Sequence, residues 1–67
     1  MYSISMEAAR VNAGLSQRDA AKAIGINVGT LSNWENGKTS PDVEKFRKMC
    51  KVYECPEDII FLGKKFA

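Results

Sequence analysis

The sequence has no histidine, only two cysteines and two prolines, and no long apolar run. Without histidine, it lacks the usual general base of enzymes and the commonest metal ligand. Cys50 and Cys55 can form at most one disulfide, far fewer than a secreted scaffold held together by disulfides contains. The apolar run at residues 59–62 is too short to span a bilayer, and residues 1–7 lack the basic-then-apolar layout of a secretory signal. These absences predict a cytoplasmic protein that uses no metal, no cofactor and no membrane.

The chain is the size of one small domain, and we expect residues 1–67 to form a single unit. Its composition, 45% apolar and 27% charged, is typical of soluble globular proteins. The net charge of +2 permits a polyanionic partner without requiring one. The carboxylates late in the chain have the pattern of ordinary surface and helix-capping groups. We therefore predict a binding module with no catalytic residue and no small-molecule substrate.

Residues that favour helix starts and helix stops divide the chain into five short helical segments. Ser5, Ser16 and Asn27 are suitable N-caps, and Gly14 and Gly25 are suitable ends. No window shows the alternation of a strand, so the predicted fold class is all-α. The predicted helices span residues 6–12, 17–24, 28–36, 41 to about 53, and a short last segment that starts at residue 56. The residues predicted to face inward include Met6, Ala9, Ala13, Val43, Phe46, Met49, Cys50, Tyr53, Ile59 and Leu62.

The second and third segments have the pattern of a helix-turn-helix over residues 17–36. Ala21 is small enough to let two helices cross closely, and Gly25 can adopt the left-handed conformation that a tight turn needs. Leu31 and Trp34, three residues apart, face the same way and should anchor the second helix to the core. The other face of that helix is then left free to bind a partner.

Three runs make a family resemblance plain: Ala-Gly-Leu-Ser-Gln at 13–17, Ile-Gly at 24–25 and Trp-Glu-Asn-Gly-Lys at 34–38. With them the chain resembles the Cro/C1-type (Xre) helix-turn-helix family, the fold of lambdoid phage repressors and Cro proteins, over roughly residues 6–62. The resemblance implies a five-helix, lambda-repressor-like domain. It also implies a transcriptional regulator of phage, prophage or bacterial type that binds double-stranded operator DNA, with repression as the expected activity.

In this family the second helix of the motif lies in the major groove, so its exposed residues are the expected DNA contacts. Asn33 is the strongest candidate because its amide can pair with adenine through two hydrogen bonds. The resemblance also implies a structural ion pair between Arg10 and Glu35. The expected base contacts are Gln17, Val28, Gly29, Ser32 and Asn33, and the expected DNA-backbone contacts are Gln17, Thr30, Asn36 and Lys38.

The exposed face of the expected recognition helix carries no lysine or arginine. Residues 1–36 hold three basic and three acidic groups, whereas the remainder holds seven basic and five acidic ones. We therefore expect electrostatic attraction to come from Lys38, the fourth helix and a short basic tail at 63–67. The uncharged face also keeps open an alternative, a protein-interaction module such as an antitoxin or adaptor.

A single domain of this kind reads a short half-site, so we expect a homodimer on a pseudo-palindromic operator. The expected dimer surface is the last helix and the tail. Ile60, Phe61 and Phe66 offer apolar side chains there.

Overall fold

The computed structural model describes residues 4–57 and 60–61. Within these ranges the chain forms four helices and two short strands, so the predicted all-α class is confirmed and the predicted count of five helices is wrong. The elements are β1 (Ile4–Ser5), α1 (Met6–Asn12), α2 (Gln17–Ile24), α3 (Val28–Glu35), α4 (Val43–Tyr53) and β2 (Ile60–Phe61).

Each helix begins at a polar N-cap whose side chain accepts a hydrogen bond from a backbone N–H three residues later. Ser5, Ser16 and Asn27 take this position as predicted. The fourth helix begins later than predicted, because the cap is Asp42, which accepts from Lys45 N at 2.8 Å. A carboxylate one residue after the proline thus determines where α4 starts.

Each helix is followed, at its C-cap or one residue later, by a residue in the left-handed conformation. Three of these residues are glycines, at 14, 25 and 37, with φ between 77° and 91°, and the fourth is Glu54 with φ of 54°. In every case the next residue donates its N–H to the carbonyl five positions earlier, as for Ile26 N and Ala21 O at 3.0 Å. The positive φ of Gly25 turns the chain sharply, so that only Ile26 and Asn27 separate Gly25 from the first residue of α3.

The core lies between the four helices. Its largest fully buried side chains are Ile24, Leu31 and Met49, and Trp34 is also buried. Among the residues that the structure describes, two that were predicted to face inward do not do so: Ala13 is exposed after the end of α1, and Val43 is 66% exposed in the first turn of α4. The buried residues are Met6, Ala9, Arg10, Ala20, Ala21, Ile24, Leu31, Trp34, Met49, Cys50 and Tyr53.

The predicted fifth helix is replaced, at residues 60–61, by extended backbone. Ile60 and Phe61 pair in parallel with Ile4 and Ser5, so hydrogen bonds between the two ends of the described chain take the place of helical ones. The start proposed at Pro56 fails because residues 55–57 are not helical. The predicted contacts of Ile59, Leu62, Phe66 and the tail at 63–67 lie outside the described residues. None of the four helices described is long and apolar enough to cross a membrane.

Candidate nucleic-acid interface

Helix α3 has one face in the core and one face in solvent. Leu31 and Trp34 are 0% and 5% exposed, and α3 packs against α1 and α2. On the other side Val28, Gly29 and Asn33 are exposed and Ser32 is half-buried. The structure therefore brings the four expected base contacts of this helix onto one solvent-facing surface, which we call the α3 surface: Val28, Gly29, Ser32 and Asn33.

The first turn of α3 is held by Asn27 and Thr30. Asn27 Oδ1 accepts from Thr30 N at 2.8 Å and from Thr30 Oγ1 at 3.0 Å. The hydroxyl hydrogen of Thr30, an expected backbone contact, is thus already donated within the protein, and its oxygen can only accept. Among the described residues, no acceptor engages the two N–H groups of the Asn27 side-chain amide, which lie at the start of the α3 surface. The sequence pattern predicts Asn27 as a cap but does not indicate this second property.

Arg10 and Glu35 lie together, as the family resemblance implies. Arg10 Nε donates to Glu35 Oε2 at 2.8 Å, and Arg10 Nη2 is 3.4 Å from Glu35 Oε1. Arg10 Nη1 donates to the carbonyl of Leu15 at 2.8 Å. One guanidinium therefore joins α1, the loop before α2 and the last residue of α3.

Gln17 also contacts Glu35. Its Nε2 donates to Glu35 Oε1 at 2.8 Å, so the carboxylate accepts from both the first and the second helix. We call this set the Arg10–Glu35–Gln17 network. One amide hydrogen and the carbonyl of Gln17 are still available to DNA, but the position of that side chain is set by Glu35. No spacing rule indicates this contact, because the two residues are eighteen positions apart.

The ion pair within this network is almost completely removed from solvent, whereas Gln17 is half-buried. The Arg10 and Glu35 side chains are 10% and 3% exposed. The pKa of Arg10 is raised above its usual value, chiefly by the hydrogen bond to Glu35, while burial acts in the opposite direction. The single negative charge of α3 is therefore neutralised inside the protein, and the α3 surface itself is uncharged.

The remaining expected backbone contacts follow the end of α3. Asn36 and Lys38 are both exposed. Lys38 N donates to Asn33 O at 2.9 Å and Asn36 Nδ2 is 3.4 Å from Ser32 Oγ. These bonds hold the turn after the helix beside the α3 surface. Lys38, three residues after the end of α3, thus supplies the positive charge nearest in sequence to the C-terminal end of the uncharged α3 surface.

The side-chain amide of Asn33 is the open polar group at the centre of this surface. Among the described residues, no hydrogen bond uses its amide oxygen or nitrogen. A major groove presents adenine as one donor and one acceptor side by side, which an asparagine amide matches. An exposed helix with an unengaged amide, anchored from behind by buried side chains, has the form that major-groove readers share.

The helix-turn-helix family model matches residues 6–60, most of the chain and all of the four helices. The chain belongs to the Cro/C1-type helix-turn-helix family. The match begins at the first residue of α1 and ends in β2, so it covers both the motif and the network behind it.

Two curated relatives are similar over most of this chain. The HTH-type transcriptional regulator ImmR of Bacillus subtilis is 34% identical over 59 residues, which are 88% of this chain and 46% of that protein. The cryptic phage CTXphi transcriptional repressor RstR of Vibrio cholerae is 34% identical over 56 residues, 84% of this chain and 50% of that protein. The chain thus spans about half the length of these relatives. No solved structure gives a significant match.

Proposed function

We propose that the chain is a sequence-specific, double-stranded DNA-binding domain of a transcriptional repressor that acts in the cytoplasm of a bacterial or phage-infected cell. The observation that carries the proposal is the α3 surface: an exposed, uncharged helix face held in place by Leu31, Trp34 and the Arg10–Glu35–Gln17 network. The names of the two relatives, a transcriptional regulator and a phage repressor, support it.

In this proposal α3 enters the major groove and different residues supply specificity and affinity. Asn33 pairs with a base, Val28 packs on a thymine methyl, and Gly29 and Ser32 line the remaining contact. Gln17, Thr30, Asn36 and Lys38 meet the phosphates, with Thr30 as acceptor only unless its bond to Asn27 breaks. Because α3 contributes no cation, phosphate attraction depends on Lys38 and the basic residues that follow it.

We propose further that two copies bind a pseudo-palindromic operator, with half-sites about 34–36 Å apart. Repression then follows from occlusion of polymerase. The dimer surface expected on a fifth helix needs a new assignment, since residues 60–61 are extended and paired with 4–5.

The test starts with selection of bound duplexes from a random pool, followed by titration of the selected site at several salt concentrations. Replacing Asn33 by alanine should weaken binding to the selected site by about 5- to 150-fold, the worth of one bidentate base contact, and relax preference at one position. Lys38→Ala should weaken selected and unrelated duplexes alike and lower the salt slope by about 0.9. Asn12→Ala is the matched control, because it removes an exposed amide from the far end of α1.

Two results would contradict the proposal. One is affinity for duplex DNA that changes neither with salt nor with Asn33. The other is recovery of no preferred sequence from the pool. The uncharged α3 surface would then favour the protein-interaction alternative, an antitoxin or adaptor with the same fold.

A further inference from the structure

The end of α4 places the two cysteines of the chain in one tight turn. Glu54 takes the left-handed conformation, Glu54 N donates to Lys51 O at 3.2 Å and Cys55 N donates to Cys50 O at 3.0 Å. This pair of bonds defines the Schellman motif, which is frequently accompanied by a contact between the side chains of its first and last residues. Here those two residues are Cys50 and Cys55, and Cys55 packs against the buried cluster that contains Cys50.

The hydrogen bond also limits the separation of the two residues. Because Cys55 N is 3.0 Å from Cys50 O, standard bond lengths place the two Cα atoms at most about 7 Å apart, and less for any bent arrangement. Disulfides span Cα separations of about 4.4–6.8 Å. The Cα separation therefore lies within or close to the range that a disulfide spans.

The two thiols differ in access. Cys50 is 6% exposed within the core, and Cys55 is half-buried at its edge. Burial, with a smaller contribution from the charges of Glu57 and Cys55, raises the pKa of the Cys50 thiol to about 11. Cys50 is thus protected from reagents in solution, and Cys55 is the sulfur that they reach first.

We infer that Cys50 and Cys55 form a reversible disulfide site that reacts with small-molecule disulfides of the glutathione type. The Cys55 thiolate attacks one sulfur of oxidised glutathione, forms a mixed disulfide and releases one glutathione thiolate, which takes a proton. Cys50 then loses its proton to solvent and attacks the sulfur of Cys55, which breaks the mixed disulfide and releases the second glutathione. The protein dithiol is oxidised to a disulfide and one oxidised glutathione is reduced to two thiols.

Formation of this disulfide modifies the turn that follows α4. The bridge joins a core residue of α4 to the first residue after the turn, so it holds the direction in which the chain leaves the helix. A disulfide in a reducing compartment is transient, so the modification would follow the ratio of oxidised to reduced glutathione.

The experiment equilibrates the whole chain in glutathione buffers of graded ratio, stops exchange with acid, and measures the products by mass spectrometry. The expected product is a monomer that has lost two hydrogens. Because the folded turn holds the two cysteines close together, this product should form at least about tenfold more favourably than in concentrated urea. Cross-linked dimers, mixed disulfides alone, or equal yields in urea would overturn the inference.

Two variants check the assignment of roles. Cys55→Ser leaves the protected Cys50 and should not react with oxidised glutathione while folded. Cys50→Ala should stop at the mixed disulfide on Cys55. If the Cys50 variant fails to fold, Cys55→Ser still decides, since a reaction at Cys50 in that folded variant would refute the order of attack.

Discussion

Replacing Glu35 by alanine should destabilise the fold severely, because it leaves the charge of Arg10 buried without its partner. The Arg10 side chain is 10% exposed, and its Nε and Nη2 would lose their acceptor while Nη1 kept the carbonyl of Leu15. Loss of one partner from a buried pair costs about 3–5 kcal/mol. A chain of 67 residues has a total free energy of unfolding of about 3–10 kcal/mol, so this loss removes about 30% of it or more.

The assay is urea and thermal unfolding followed by circular dichroism and by the fluorescence of Trp34, which is buried in α3. At about 4–8 °C per kcal/mol, the expected fall in Tm is at least about 12 °C. Arg10→Met combined with Glu35→Leu removes both charges. The double variant should lose clearly less stability than the sum of the losses in the single variants Arg10→Met and Glu35→Leu, with a coupling free energy of about 2–3 kcal/mol.

The exposed ion pair Arg47–Glu57 is the matched control. Its atoms are 3.5 Å apart and its side chains are 65% and 51% exposed, so Arg47→Ala should change stability by no more than about 1 kcal/mol. The reasoning is refuted if Glu35→Ala costs as little as that control. Additive effects of the two changes at Arg10 and Glu35 would refute it equally.

Three further changes should raise stability, and urea unfolding measures each. Glu54→Gly should add up to about 1 kcal/mol, because glycine adopts a φ of 54° without the steric cost that a side chain incurs; no gain would mean that this conformation carries no strain. Gly29→Ala should add about 0.5–1 kcal/mol, because glycine inside a helix is less favourable than alanine and the added Cβ would meet Asn27 Oδ1 at 3.4 Å, an ordinary contact. A loss of stability would show that the start of the helix cannot accept the methyl group. Tyr53→Phe should add about 1 kcal/mol near neutral pH, because the hydroxyl is buried and has no hydrogen-bond partner among the described residues.

The Tyr53 change should also alter the alkaline limb of the stability curve. Burial raises the pKa of Tyr53 to about 12 in the folded chain. The unfolded chain therefore ionises first, near pH 10, and the free energy of unfolding falls by about 1.4 kcal/mol per pH unit as the pH rises toward 12. Tyr53→Phe removes this part of the fall, and the contribution of Cys50 is the same in both proteins. Parallel curves for the two proteins above pH 10 would contradict the assignment.

Local patterns were sufficient to predict the four helices and the helix-turn-helix. Polar caps and glycine stops act over a few residues, so Ser5, Ser16, Asn27 and Gly25 predict boundaries without knowledge of the fold. Apolar spacing likewise predicts that Leu31 and Trp34 are buried, because a helix fixes which positions share a face. The same locality made residues 40–42 ambiguous, since a serine, a proline and an aspartate in succession can each start a helix.

Contacts between distant parts of the chain required the tertiary structure. The extended backbone at Ile60–Phe61 depends on its pairing with Ile4–Ser5, and a local pattern of apolar residues does not reveal such a partner. The family resemblance implies that Arg10 meets Glu35, but only the folded chain shows Gln17 bound to the same carboxylate and Thr30 committed to Asn27. Sequence patterns record the preferences of neighbouring residues, whereas the availability of each side chain for DNA depends on which distant groups the packed core brings beside it.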